Sequence, residues 1–375
     1  MAALLLVGLP ACSSSSDKKV AASSSTTAST PSSTAGAPKA LVASLPEGCD
    51  GAAPAAGAVV AFVAGGRSWA VSPDDAATLH CLFATPDAGL FSFGPLGDRV
   101  ALSGLEVRGV GSSVSRPKSA LRPVYYSWSR PTGTTLVFTD GARRRLARAD
   151  LGQVGSRDIT PVQGDVTYGD VAYHPSGLAI GFAVTAPGSA ELYLSTNQGA
   201  DAKLLVKAPA GTTFGHLVFA HDGKDLYYSV DRNDGSHTLA RYNLVEGGVA
   251  PELWKGDAPV ASIVELGGVP GVALTVGGNC EAHRAVFSSL DATAGQPLST
   301  GNDGPTSIVG RLDADRFVVA AGGCNGPSDL YIVRAGTGGP PPTLLVQGVD
   351  AATLRQPEPT PPPPLPTNLP KSEFA

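Results

Sequence analysis

Two histidines occupy the same position in two similar stretches of the 375-residue chain. His174 lies in VAYHPSGLAIGFAV (171–184), and His221 lies in LVFAHDGKDLYYSV (217–230). Histidine is a common metal ligand and general base, so this pair, together with Asp222, suits a metal site or a proton relay. The alternative, which we favour, is that each imidazole hydrogen-bonds the backbone of its own turn.

Four arginines form a dense cluster of positive charge. The stretch GARRRLARAD (141–150) contains Arg143, Arg144, Arg145 and Arg148. Guanidinium groups bind phosphate and carboxylate groups, so the cluster is a candidate surface for an acidic partner or for phosphate headgroups. The alternative is a solvated turn. The formal net charge of −5 argues against a nucleic-acid partner, which would require a basic surface.

Sequence motifs for catalysis were not found. The chain contains no G-x-S-x-G elbow, no H-E-x-x-H zinc motif and no Walker loop. The stretch DRNDGSHTLARY (231–242) begins like a calcium-binding loop, but Tyr242 stands where the acidic twelfth ligand is needed. This stretch is therefore predicted to be a hairpin turn. No catalytic residue, metal ligand or cofactor is assigned from the sequence.

The strands that must position these residues recur along the chain. An apolar strand, a polar turn and a second apolar strand follow one another six times, with the turns 36 to 48 residues apart. The residues that anchor these turns are Gly97, Gly133, Gly177, Gly223, Gly271 and Asp315. An incomplete copy at 58–85 precedes them and lacks its first strand, which the segment 347–355 can supply.

Each repeat predicts a short antiparallel meander, because apolar and polar residues alternate between Asp-Gly and Asn-Gly type turns. The 46 glycines and 32 prolines indicate many such turns. Repeats of this length are typical of β-propellers. We predict an all-β propeller of seven four-stranded blades over residues 47–355, with six blades as the alternative. One sheet built from strands of both ends closes the ring and removes its exposed edges.

The repeat also resembles a known family. The stretch YHPSGLAIGFAVTAPGSAELYLSTNQGADAKLL (173–205) is similar to the propeller repeat of TolB-like and WD40-like proteins, with its W-S-P-D-G turn and I-A-F and L-Y-x-x strands. The resemblance covers most of 58–355 and concerns the propeller alone. It implies the fold and no single activity, because propellers include enzymes, scaffolds and binding proteins.

The amino-terminal residues are predicted to be an export signal. MAALLLVGLPAC (1–12) is apolar but too short to span a membrane. Its end, LPAC, resembles the lipobox of bacterial lipoproteins, which implies that residues 1–11 are removed and that Cys12 carries a lipid. An ordinary signal peptide is the alternative. The Ser/Thr/Ala/Pro-rich segment 12–46 is predicted to be a disordered tether, and 356–375 a disordered proline-rich tail.

The four remaining cysteines are predicted to form two disulfides, because an even number in an exported chain favours pairing. Cys280 and Cys324 occupy the same turn of consecutive repeats, and neighbouring blades bring equivalent turns close together. Cys49 precedes the first blade and Cys81 lies in its last strand. The predicted pairs are therefore Cys49–Cys81 and Cys280–Cys324.

These features predict a membrane-anchored, extracytoplasmic binding or scaffolding module of the bacterial cell envelope. Its ligand, an envelope protein or a glycan, is expected across the mouth of the ring, where loops of several blades meet. We expect a monomer that touches the membrane only through its lipid. The alternative is a propeller hydrolase or lactonase with a metal in the central channel, which requires a convergent cluster of Asp, Glu, Asn and His.

Overall fold

The structure is a computed structural model. The residues that it describes are 39–49, 59–84, 92–94, 99–102, 106–109, 123–130, 132–150, 153, 155–265, 271–289, 295–336, 340–355 and 363–365. They form 27 β-strands and one short 3-10 helix, Cys280–Ala282. Within these ranges, no helix has the length and apolar character needed to cross a membrane. Cys12 and the predicted signal sequence lie outside the described residues.

Six four-stranded antiparallel sheets and one three-stranded sheet make up the fold. In each sheet the first strand named is the innermost and the last is the outermost. Blade 1 consists of β27 (Ala351–Arg355), β1 (Val59–Ala64), β2 (Arg67–Ser72) and β3 (Asp75–Ala84). Sheet 2 consists of β4 (Ser92–Phe93), β5 (Arg99–Leu102) and β6 (Glu106–Gly109). Blade 3 consists of β7 (Pro123–Trp128), β8 (Thr135–Asp140), β9 (Leu146–Asp150) and β10 (Arg157–Asp158).

The remaining four blades follow in chain order. Blade 4 consists of β11 (Thr167–Tyr173), β12 (Ala179–Ala186), β13 (Ser189–Thr196) and β14 (Lys203–Pro209). Blade 5 consists of β15 (Thr212–Phe219), β16 (Asp225–Arg232), β17 (His237–Asn243) and β18 (Gly248–Gly256). Blade 6 consists of β19 (Val260–Glu265), β20 (Val272–Val276), β21 (Arg284–Ser288) and β22 (Gln296–Pro297). Blade 7 consists of β23 (Thr306–Arg311), β24 (Arg316–Gly322), β25 (Ser328–Arg334) and β26 (Thr343–Val349).

The inner strands contact one another around a central channel. Strand β11 contacts β7 and β15, and the contacts continue from β15 through β19 and β23 to β27, which in turn contacts β4. Trp128 Nε1 donates a hydrogen bond to Ser92 Oγ at 3.1 Å, which joins β7 to β4. The predicted all-β propeller is therefore confirmed. Among the described residues it has six four-stranded blades, the alternative to the favoured number of seven, and the three-stranded sheet 2 lies between blades 1 and 3.

The predicted closure of the ring is also confirmed. Strand β27 pairs antiparallel with β1, from Val59 opposite Arg355 to Val63 opposite Ala351. Every residue of β1 is buried. Because the carboxyl-terminal strand covers the inner edge of the first blade, β1 is left with no exposed edge that could pair with another chain.

The core lies between adjacent blades, where both faces of each sheet are covered. The second strands of blades 1 and 3, β1 and β8, are buried throughout, as expected for strands packed on two faces. Packing between blades 4 and 5 is close: a Cβ on Gly181 would lie 3.0 Å from Phe219 Cζ. A side chain at Gly181 would therefore push the two blades apart.

The end of the predicted tether packs on the propeller. The backbone N–H groups of Leu41 and Val42 donate to the carbonyls of Leu344 and Leu345 in β26, each at 2.9 Å. Val42 is buried in the core cluster of blades 1 and 7. Leu41 and Val42 lie within the segment 12–46 that was predicted to be a tether, and these two residues pack on blades 1 and 7. The apolar run Ala40–Val42 can bury surface that the Ser/Thr-rich residues before it lack.

Candidate functional site at the channel mouth

The inner strands of blades 3 to 7 each contain a β-bulge or a similar irregularity of register. The residues at the irregular positions include Val124, Asp170, His216, Ala261 and Val309. A bulge takes one residue out of the ladder and turns its side chain to a new direction. In blades 4 and 5 the side chains so placed are ionisable, and they lie beside the channel.

Asp170 bridges the inner strands of blades 4 and 5. Its Oδ2 accepts a hydrogen bond from the backbone N–H of Leu217 at 2.8 Å, and its Oδ1 accepts from the N–H of Val171 at 2.8 Å. Burial raises the pKa of Asp170 to about 7, although both N–H groups lower it. A substantial fraction of this carboxyl is therefore protonated at neutral pH.

His216 and Tyr125 meet inside the ring. Their ring centroids lie 6.3 Å apart in an edge-to-face arrangement, although blade 4 separates their strands along the ring. His216 has a positive φ of 37°, which is strained for a residue with a side chain. Burial lowers its pKa, and Asp231 opposes this shift. The imidazole is therefore neutral at physiological pH.

Arg143 completes this group from the turn between β8 and β9. Its guanidinium carbon lies 5.6 Å from the centroid of the Tyr125 ring, and its Nε donates to the carbonyl of Tyr168 at 3.0 Å. The residue itself has a φ of 57°. We define the channel mouth as the end of the channel where the inner strands begin, with Tyr125, Arg143, Asp170 and His216 as its polar group. All four side chains are partly exposed.

The other predicted arginines are placed differently. Arg144 Nη1 pairs with Asp165 Oδ1 at 2.8 Å, with both side chains largely exposed, and it also donates to the carbonyl of Val166. Arg148 is mostly buried and pairs with Asp150 at 2.7 Å. For Arg145, which is exposed, the described residues provide no side-chain partner. Arg148 is thus held in a mostly buried ion pair, whereas Arg143, Arg144 and Arg145 lie on one turn, from which Arg143 reaches Tyr125.

The two predicted histidines lie at the opposite end of the channel. His174 is fully buried, and its Nε2 lies 2.9 Å from the carbonyl oxygen of Gly223. Its Nδ1 accepts from the backbone N–H of Ser176 at 3.1 Å. Burial lowers the pKa of His174 to about 4. The imidazole is neutral and joins two blades, so the favoured structural interpretation holds for His174, with the bond reaching the next blade as well as its own turn.

No metal centre is formed by the residues that the structure describes: nowhere among them do three His, Cys, Asp or Glu side chains come close enough to hold an ion. In the turn DRNDGSH, the side chain of His237 lies 2.7 Å from Asp231 Oδ1. Backbone hydrogen bonds from Gly235 to Arg232 and from Arg232 to Ser236 close the turn. The predicted hairpin turn is confirmed.

Three charged residues at the ends of the inner strands were missed by sequence reasoning. The last inner-strand residues of blades 3, 4, 5, 6, 7 and 1 are Trp128, Tyr173, Phe219, Glu265, Arg311 and Arg355. We call this end the channel exit. This position is aromatic in three blades and charged in the other three. The six residues recur every 44 to 46 positions, so the spacing could have identified Glu265, Arg311 and Arg355 from the sequence.

Glu265 and Arg311 interact at the channel exit. Burial raises the pKa of Glu265 to about 7, while the backbone N–H of His221 and the guanidinium of Arg130 oppose the shift. Arg311 is 1% exposed and lies over two aromatic rings, 4.9 Å from Phe287 and 5.4 Å from Phe317. These two charged residues occupy the position that aromatic residues fill in blades 3 to 5. Arg311 contacts the rings of Phe287 and Phe317 there, while burial disfavours the charged form of both groups.

The two predicted disulfides are present. Cys49 pairs with Cys81, with their Cα atoms 4.7 Å apart, and Cys280 pairs with Cys324 at 5.6 Å. The second bond joins equivalent turns of blades 6 and 7. Disulfides persist in oxidising compartments and are rare in the cytosol. The fold and these bonds together define an extracytoplasmic β-propeller.

Comparison with known proteins agrees with this class. No protein-family model matches the chain, and no curated protein matches it. The solved structures similar to it include an oligogalacturonate lyase in complex with manganese, at 13% identity and a TM-score of 0.55, covering 72% of this chain and 83% of that chain. The β-propeller domain of Cps50 (Swd1) from Myceliophteria thermophila matches at 10% identity and a TM-score of 0.53, covering 71% and 90%.

TolB from Acinetobacter baumannii is also among the similar structures, at 16% identity and a TM-score of 0.45, covering 80% of this chain and 67% of that chain. At such identities the likeness concerns the β-propeller fold alone. The lyase and the Cps50 domain, both matched at TM-scores above 0.5, support the β-propeller fold of this chain.

Proposed function

We propose that the protein is a lipid-anchored binding module of the cell envelope that holds an anionic group of its ligand at the channel mouth. The observation that carries this proposal is the position of Arg143. Its guanidinium lies over the ring of Tyr125, and the other neighbour of that ring is His216 from the inner strand of blade 5. A cation held by an aromatic ring and a backbone carbonyl is already ordered, so binding loses little side-chain entropy.

The charges around the mouth favour an anion. The exposed guanidinium of Arg145 adds a second cation on the same turn. His216 is neutral, and the raised pKa of Asp170 leaves much of its carboxyl uncharged at neutral pH. The positive charge of Arg143 is therefore only partly offset by its neighbours. A carboxylate or phosphate group of an envelope glycan or protein fits this arrangement.

Binding is proposed in preference to metal-dependent hydrolysis. A hydrolase or lactonase with a metal in the channel needs at least three ligands, and within the described ranges the channel mouth offers the carboxyl of Asp170 and the imidazole of His216. Asp170 is also occupied by two backbone N–H groups. The contacts described therefore give no reason to prefer the enzymatic alternative.

Capture from solubilised envelope extract tests the site. Wild type, Arg143→Gln and Arg145→Gln are immobilised and exposed to the extract at low and high salt. Loss of one charge-assisted hydrogen bond is expected to reduce capture by Arg143→Gln about tenfold. Arg157→Gln, which removes a charge from the outermost strand of the same blade, is the matched control and is expected to retain wild-type capture. Equal capture by all variants would exclude the channel mouth as the binding site.

The anchor is a separate part of the proposal. Export to an oxidising compartment, indicated by the two disulfides, is compatible with lipidation at Cys12. We expect Cys12→Ala to move the protein from the membrane fraction to the soluble fraction while its unfolding transition stays unchanged. Continued sedimentation with membranes would contradict the lipid anchor and would leave the binding site untouched.

A further inference from the structure

Two residues of the proline-rich carboxyl-terminal segment, Pro363 and Leu365, pack on the propeller. Leu365 is half-buried and contacts the apolar cluster of blades 4 and 5, whose members include Phe219 and Leu244. Pro363 lies beside the turn between β15 and β16: its Cγ is 3.6 Å from the position that a Cβ on Gly223 would take. Pro364, between them, is exposed. The predicted disordered tail thus differs from the structure at these residues.

The contact lies at the channel exit. Strand β27 ends at Arg355, and strand β15 of blade 5 ends at the turn that contains Gly223. Inner strands of a propeller run in the same direction, so both strand ends face the same side of the ring. Blades 6 and 7 lie between blade 5 and blade 1. Arg355 and the turn that Pro363 contacts therefore lie on the same face of the ring.

The composition of the segment favours docking of an extended peptide. Eight residue steps separate Arg355 from Pro363, and eight steps of a polyproline II chain reach at most about 25 Å. Proline fixes φ in this range before binding occurs, so a proline-rich segment loses little backbone entropy when it docks. Pro363 and Leu365 contact the propeller, and Pro364 between them is exposed. This alternation is expected for an extended peptide that packs one side on a surface.

Gly223 lies in contact distance of both His174 and Pro363. Its φ is 70°, and a Cβ there would lie 2.6 Å from His174 Nε2, so the imidazole leaves no room for a side chain. The same Cβ would lie 3.6 Å from Pro363 Cγ, an ordinary van der Waals distance, so the proline ring packs directly against this turn.

We propose that the channel exit of blades 4 and 5 is a binding site for a proline-rich peptide and that this chain's own segment at 363–365 occupies it. The site is formed by Gly223 and the apolar cluster next to Leu365. It lies at the end of the channel opposite Arg143, and the proposal is independent of the anionic ligand proposed above. An intramolecular segment has an effective concentration of about 1 mM, so a weak contact suffices to keep the site occupied.

The test uses the full chain and a labelled peptide of residues 356–370. In Leu365→Asp, a charge replaces the half-buried leucine and releases the segment from the site. The matched control is Pro364→Asp, which introduces the same charge at the exposed neighbour. Fluorescence anisotropy is expected to detect peptide binding to Leu365→Asp, and binding at least about tenfold weaker to wild type and to Pro364→Asp. Equal binding to all three proteins overturns the proposal.

Hydrogen exchange provides a readout that needs no peptide. The amide N–H of Gly223 donates to the carbonyl of Ala220 at 2.9 Å in the turn that Pro363 covers. We expect faster exchange around residues 220–224 in Leu365→Asp than in wild type or Pro364→Asp, with no change at the bulge around Leu217. Unchanged exchange at this turn, or failure of the peptide to bind Leu365→Asp at millimolar concentration, overturns the proposal.

Discussion

The carboxylate of Asp170 in blade 4 accepts a hydrogen bond from the backbone N–H of Leu217 in blade 5, at a distance of 2.8 Å. Its other oxygen accepts from the N–H of Val171, at the bulge of its own strand. One side chain therefore satisfies N–H groups at the bulges of two neighbouring inner strands. This arrangement joins blades 4 and 5 at the channel and satisfies two backbone N–H groups that the bulges take out of the ladder.

The position of Asp170 predicts a pH dependence of stability. Its pKa of about 7 in the folded state lies above the value of about 4 in the unfolded chain, so between pH 4 and pH 7 the folded state keeps a proton that the unfolded state loses. This contribution to the free energy of unfolding falls as pH rises through that window and is constant above it. The free energy of unfolding of Asp170→Asn minus that of wild type is therefore expected to increase by at most about 4 kcal/mol as the pH rises from 4 to 7.

Urea denaturation of both proteins at several pH values measures this difference. Glu265 has a raised pKa of about 7 and His174 a lowered one of about 4, and their effects have opposite signs in overlapping windows. Both residues are present in wild type and variant, so their effects cancel in the comparison. A wild-type-to-variant difference that stays constant from pH 4 to pH 8 would contradict the raised pKa.

Gly223 and Gly235 form a matched pair for substitution by alanine. Both have a positive φ, 70° and 78°, but a Cβ on Gly223 would lie 2.6 Å from His174 Nε2, whereas one on Gly235 meets nothing within 4 Å. The Gly235→Ala change is expected to cost about 1 kcal/mol for backbone conformation alone. We expect Gly223→Ala to cost about 1–3 kcal/mol more, because the contact with His174 must open. Equal unfolding free energies for the two variants would show that His174 moves aside freely.

Closure of the ring predicts a sharp boundary for truncation. A chain that ends after Asp350 lacks β27 and leaves the backbone groups of the buried strand β1 without their partners. We expect it to lose cooperative unfolding and to aggregate through the exposed edge. A chain that ends after Arg355 keeps β27 and is expected to unfold cooperatively. Circular dichroism melts and size-exclusion chromatography distinguish the two, and similar melts for both would mean that the last strand does not close the fold.

Each disulfide is expected to contribute to stability through the loop that it closes. The sequence separations are 32 residues for Cys49–Cys81 and 44 residues for Cys280–Cys324. Loops of this size correspond to about 3–4 kcal/mol of chain entropy. Replacing both members of a pair with serine is expected to lower the free energy of unfolding by up to that amount. Reducing agent should destabilise wild type but not a variant that lacks all four cysteines, and non-reducing peptide mapping checks the pairing.

Much of the fold could be predicted because its elements are local. The strand, turn and strand around His174 and around His221 are specified by alternation of apolar residues and by glycine in the turn, which need no distant contact. The pairing of Cys280 with Cys324 followed from the same repeat, since equivalent turns of neighbouring blades must lie near each other. The end of the tether could not be placed, because Leu41 and Val42 are ordered by hydrogen bonds to β26, about 300 residues away along the chain.

The sequence by itself determined the propeller, its closure by the two ends of the chain and its disulfides, because a repeated local pattern allows few ways to bury its apolar faces. Only the tertiary structure decided which polar residues share a site. The arginines are close together in the sequence but differ in their contacts. Arg148 forms a mostly buried ion pair with Asp150, whereas the guanidinium of Arg143 lies over the ring of Tyr125. Tyr125 and His216 meet from strands that are not neighbours in the ring. Such contacts depend on the curvature of the ring and on bulges that redirect single side chains, and neither is encoded in the spacing of residues along the chain.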